Sequence, residues 1–132
     1  MNLVVIGVNH KTAPVALRER LAFVGGDIQV AQAQLQSLTA GSLIISTCNR
    51  TEIYALAPNT QALMDQVPST DSLVTQAQKQ SMEPVTTTQL TEQLIHWLAD
   101  FKHLPVEEVR PYLYDYIDGQ ALTHLLRVAA GL

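Results

Sequence analysis

The stretch STCNRTE, residues 46–52, carries the chain's single cysteine, Cys48. SLII before it and IYAL after it read as two strands, so the thiol sits in a turn between them. A lone cysteine in that position is an idle small residue, a metal ligand or a nucleophile. Turns at strand ends are exposed, and functional side chains gather there. A thiol with a pKa of about 8.5 is only a few per cent ionised at pH 7. A guanidinium such as that of Arg50, or a ring of backbone N–H groups, could lower the value by about one to two units and make about a quarter or more of it reactive. The residues alone leave both a small packed side chain and a nucleophile open.

The neighbours carry the same ambiguity. Arg50 is either a solvated turn residue or a fork for a carboxylate. Asn49 suits a turn with positive φ, and Thr47 suits plain strand. His124 lies at the edge of an apolar helix face beside Val128 and, taken alone, reads as a packed core-edge histidine rather than a base. His10 and Lys11 follow a strand end and could line the same cleft, whereas Arg18 and Arg20 read as a solvated helix face. The four histidines, His10, His96, His103 and His124, form no HxxxH pair, and there is no CxxC, so no metal site is expected. Gly25-Gly26 is not a GxGxxG loop and there is no Walker motif, so no nucleotide loop is expected either.

These residues are positioned by a chain of 132 residues, 47% hydrophobic and 15% charged, enough for one globular domain with its own core. A net charge of −4 argues against a dedicated nucleic-acid-binding domain. A single cysteine closes no internal disulfide, which fits a reducing compartment. No signal peptide and no membrane span is expected, and the cytoplasm is the expected location.

NLVVIGVN (2–9) at the start reads as a central strand buried on both faces. Pro14 suits the first turn of a short helix over 15–23. Asp27 could cap a second helix, ended by Gly41. The strands 42–47 and 52–57 form an antiparallel hairpin, since the turn is too short for a crossover. Residues 58–85 are polar and Gln/Ser/Thr-rich and read as a loop or variable insertion. Leu90, Leu94, Trp97, Leu98 and Phe101 mark a helix over 88–103. A short helical piece follows Pro105, Pro111 opens a strand YLYDYI, and Asp118 caps a last helix over 120–130. The order predicts an α+β sandwich: a ferredoxin-like, four-stranded, largely antiparallel sheet with helices on one face.

Three stretches together, GVNHKTAPVALRERLAF (7–23), STCNRTEIYALA (46–57) and HLLRVAAGL (124–132), resemble the signatures of glutamyl-tRNA reductase. The likeness spans the chain except residues 58–85. The resemblance implies a reaction in which Cys48 attacks the ester of glutamyl-tRNA, forms a glutamyl thioester, and NADPH reduces it to glutamate-1-semialdehyde, the entry to tetrapyrroles and 5-aminolevulinate. It implies Thr47, Asn49 and Arg50 as the substrate-binding turn and His124 as a histidine needed for activity. It makes residues 1–132 an N-terminal catalytic domain, with the NADPH-binding and dimerisation domains outside this chain. A homodimer and hand-over of the semialdehyde to a downstream aminomutase are implied for the longer enzyme, which uses no metal. Two other readings stand beside it: a stand-alone cysteine hydrolase or acyltransferase, and a non-catalytic ferredoxin-like binding module.

Overall fold

The computed structural model describes residues 2–58 and 85–131. Strand β1 (Leu3–Asn9) is followed by helices α1 (Val15–Leu21) and α2 (Asp27–Leu35), then by the hairpin β2 (Gly41–Ser46) and β3 (Arg50–Leu56). Helix α3 (Thr87–Phe101), the short α4 (Val106–Val109), a 3-10 turn (Arg110–Tyr112), strand β4 (Tyr114–Ile117) and helix α5 (Asp118–Ala129) complete it. The sheet order is β2-β3-β1-β4 and every pairing is antiparallel, the ferredoxin-like arrangement expected from the element order. Most of the polar insertion expected over 58–85 lies outside the described residues.

β1 is central because Val4, Val5, Ile6 and Val8 are all buried, so neither face of it can meet water. Alternate residues serve two cores. Val4, Ile6 and Val8 join Ile44, Ile53 and Ala55 under the first three helices. Val5 and Tyr54 point the other way, where Ala121 and Leu125 of α5 cover them. The expectation of helices on one face is therefore corrected: α5 packs on the opposite face. A strand buried on both sides requires cover on both.

α3 is set by its stripe and its start. Leu90, Leu94 and Leu98 are buried, Trp97 stacks on Phe101 at 5.0 Å between ring centroids, and Thr86 with Gln89 forms a reciprocal capping box. Several expected punctuation marks move. Gly41 does not end α2; it opens β2. Pro111 sits in the 3-10 turn rather than in β4, since proline gives no N–H to a ladder. Asp27 caps nothing as an N-cap; its carboxylate accepts from Val24 N and pairs with Lys102 at 3.7 Å. Asp118 does not cap α5 either. It takes a left-handed φ of 51° and its Oδ1 accepts from Leu3 N at 3.1 Å, tying the helix start to β1 as the chain passes to the other face.

Candidate functional site

β2 and β3 bring the motif to a tip. Thr47 N donates to Arg50 O at 2.8 Å and closes the hairpin, and Asn49 N donates to Thr47 Oγ1 at 3.2 Å inside it. Cys48 stands exposed at this tip, and among the described residues its Sγ has no hydrogen-bond partner. Arg18 reaches across from α1. Its Nη1 donates to Cys48 O at 2.9 Å and its Nε to Ala13 O at 3.2 Å. The reading of Arg18 as a solvated residue is thus corrected: the guanidinium clamps the backbone beneath the thiol. Arg20 is exposed as expected. Asn9 pairs with Arg50 across β1 and β3, so exposed His10 and Lys11 leave the sheet at the same end as the turn.

Arg50, Glu52 and Tyr54 alternate along β3 and face α5. Glu52 has no exposed surface. Its carboxylate accepts from the Tyr54 hydroxyl at 3.1 Å, from the Tyr114 hydroxyl and from His124 Nε2. Arg50 Nη1 lies 3.6 Å from it, inside ion-pair range, yet is buried without a hydrogen bond. A buried carboxylate is tolerable only when paired and hydrogen-bonded, and here it faces donors alone. An ionised carboxylate only accepts, so in that contact Nε2 of His124 carries the hydrogen, while among the described residues Nδ1 has no hydrogen-bond partner. Burial first, then the Glu52 charge for Tyr54 and the hydrogen bond to Glu52 for Tyr114, push both hydroxyls well above the usual phenol range. Both therefore stay protonated donors.

The close approach depends on a missing side chain. Glu52, Gly7 and Tyr114 form one row across β3, β1 and β4. A Cβ at Gly7 would lie 2.9 Å from Glu52 Cγ and from Thr51 O, and 3.0 Å from the Tyr114 hydroxyl oxygen. Glycine leaves the gap in which carboxylate and phenol meet.

Of the expected site residues, Arg50 and His124 converge on Glu52, whereas Thr47, Cys48 and Asn49 form the exposed tip. His124 bonds to Glu52, not to the thiol. Sequence reasoning missed Glu52, Tyr54, Tyr114, Gly7 and Arg18. The available signal was the period-two run Arg50, Glu52, Tyr54, which put two charges on one face of a strand. Among the described residues no group of three or more His, Cys, Asp and Glu could hold a metal, and no helix is long and apolar enough to cross a membrane. At the start of α2 the glycines are followed by Asp27 in the first turn, a carboxylate where a pyrophosphate on that helix would sit.

An antiparallel ferredoxin-like sheet bearing an exposed cysteine at a hairpin tip, with an arginine and a histidine gathered on a buried carboxylate, defines an α+β domain. The model of the family described as "Glutamyl-tRNAGlu reductase, N-terminal domain" matches residues 6–132, and the chain belongs to that family. A glutamyl-tRNA reductase of Psychrobacter sp. (strain PRwf-1) is 75% identical over 134 residues, covering 100% of this chain and 29% of that protein. Glutamyl-tRNA reductase of Neisseria gonorrhoeae (strain NCCP11945) is 34% identical, over 100% of this chain and 25% of that protein. The chain thus spans less than a third of the length of these relatives. The solved glutamyl-tRNA reductase from Methanopyrus kandleri shares the fold, with a TM-score of 0.55 and 22% identity over 98% of this chain and 22% of that one.

Proposed function

We propose that this chain is the catalytic domain of a longer glutamyl-tRNA reductase and that Cys48 is its nucleophile. Family membership across residues 6–132 carries the reading. The exposed thiol on a closed, arginine-clamped turn supports it. Cys48 Sγ, as thiolate, attacks the carbonyl carbon of the glutamyl ester. The C–O bond to the tRNA ribose breaks, that oxygen leaves with a proton, and the glutamyl group stays on sulfur as a thioester. A thioester carbonyl accepts hydride more readily than an ester, which is the gain from the covalent step.

In this reading Thr47, Asn49 and Arg50 form the substrate turn. Arg50 offers its fork to a carboxylate of the glutamyl group, and His124 acts as base or orienting donor through Nδ1. NADPH supplies the reducing hydride that turns the thioester into glutamate-1-semialdehyde, and it belongs to a domain outside this chain. Dimerisation, hand-over of the semialdehyde to an aminomutase of tetrapyrrole synthesis, and a cytoplasmic location are properties of the longer protein. A stand-alone hydrolase would instead set a histidine on the thiol, whereas among the described residues Cys48 Sγ has no hydrogen-bond partner. Changing Cys48→Ser in the full-length enzyme is expected to abolish aldehyde formation, because serine is a far weaker nucleophile at neutral pH. Wild-type turnover in that variant would overturn the reading.

A further inference from the structure

We propose that Tyr114 is a positioning residue of this reaction, its hydroxyl fixing the Glu52 carboxylate and, through it, the ring of His124. The inference rests on the reading above that Cys48 forms the thioester with His124 at the reacting group. Glu52 has no exposed surface and its oxygens are occupied by Tyr54, Tyr114 and His124, so it acts on its neighbours and not on substrate.

Tyr54 and Tyr114 divide the carboxylate between them. Tyr54 donates to Oε1, whereas Tyr114 donates to Oε2, the oxygen that His124 Nε2 and Arg50 also face. Tyr114 also touches the histidine directly, with ring centroids 5.3 Å apart, while Tyr116 lies 4.9 Å from the same imidazole on its strand's next same-face position. The imidazole is therefore fixed at Nε2 by the carboxylate and bordered by two phenol rings, leaving Nδ1 as the working nitrogen. The row Glu52, Gly7, Tyr114 shows that the fold leaves room for this hydroxyl at the cost of a side chain in its central strand. Without the hydroxyl, Oε2 loses a donor and is free to rotate, taking the histidine with it. A misplacement of about 1 Å at a reacting group costs about a hundredfold in rate.

The test is made in the full-length enzyme with glutamyl-tRNA and NADPH. Tyr114→Phe is expected to lower kcat about 10- to 100-fold while KM for glutamyl-tRNA stays within about twofold. In a His124→Ala background the same change is expected to have almost no further effect on kcat, because its route is through that ring. Unchanged kcat per folded molecule, or full additivity with His124→Ala, would overturn the proposal. If Tyr114→Phe does not fold, 3-fluorotyrosine at position 114 keeps the shape and alters only the donor strength. A severalfold change in kcat then supports the proposal and an unchanged kcat overturns it. Mass spectrometry of the quenched enzyme separates the two layers. A glutamyl adduct on Cys48 with unaltered kcat in the variant overturns this inference alone, whereas no adduct on Cys48 in the wild type overturns the underlying reading and this inference with it.

Discussion

Because Glu52 is fully buried, removing any of its donors exposes it to two losses at once: the hydrogen bond, and the solvation that water cannot restore. His124→Ala is therefore expected to cost about 1–3 kcal/mol of stability as well as activity per folded molecule. A denaturant melt and an assay normalised to folded protein measure both, and an unchanged melt would show that the carboxylate does not lean on the imidazole. The contact to Glu52 gives His124 the packed role the sequence offered, and in the proposed reading the same contact orients the ring for the reaction. Arg50 gives a separate test. Its Nη1 is buried against Glu52, so in the proposed reading a substrate carboxylate meets the rest of the guanidinium fork. Arg50→Lys should lose about 1.5–3 kcal/mol of discrimination between glutamyl- and glutaminyl-tRNA, measured as the ratio of kcat/KM values. Equal discrimination would make Arg50 a turn residue only. Cys48, Asn49 and Arg50 were legible because a hairpin tip announces itself locally. Glu52 was not, because its partners Tyr114 and His124 come from 62 and 72 residues away.

At the scale of elements, periodicity gave α3 nearly to the residue, and the β-branched run gave β1. What it could not give was the side on which α5 lies. An amphipathic helix declares an apolar face but not which sheet face receives it, and the second core, built on Val5, Tyr54 and Ala121, is small and mixed with the polar site. The clue was internal: a strand read as buried on both faces cannot sit in a sheet covered on one. The crossing depends on the left-handed Asp118 and its bond to Leu3, a long-range contact that the sequence shows only as a cap signal. Gly7 carries a prediction here. Gly7→Ala forces a methyl against Thr51 O, which is backbone and cannot move aside, and should destabilise the domain by about 1–3 kcal/mol. A melting temperature equal to wild type would mean that the gap is not needed.

For the whole molecule, two cores on opposite faces of one sheet give residues 2–58 and 85–131 a single cooperative framework. The chain alone is expected to unfold in one transition and to form no aldehyde with NADPH, since in the proposed reading NADPH is held by a domain outside this chain. At most it should release glutamate slowly as water cleaves a thioester. NADPH-dependent aldehyde from the chain alone would show that the cofactor is held here after all.

The central claim is that the glutamyl group passes through Cys48, and the most direct measurement is to trap it there. Full-length enzyme would be mixed with glutamyl-tRNA without NADPH, quenched in acid, digested and sequenced by mass spectrometry. The expected result is one glutamyl mass, lost on treatment with neutral hydroxylamine as a thioester is, on the peptide that carries Cys48. A glutamyl adduct on another residue, or turnover on adding NADPH with no adduct at Cys48 at any time, would contradict it.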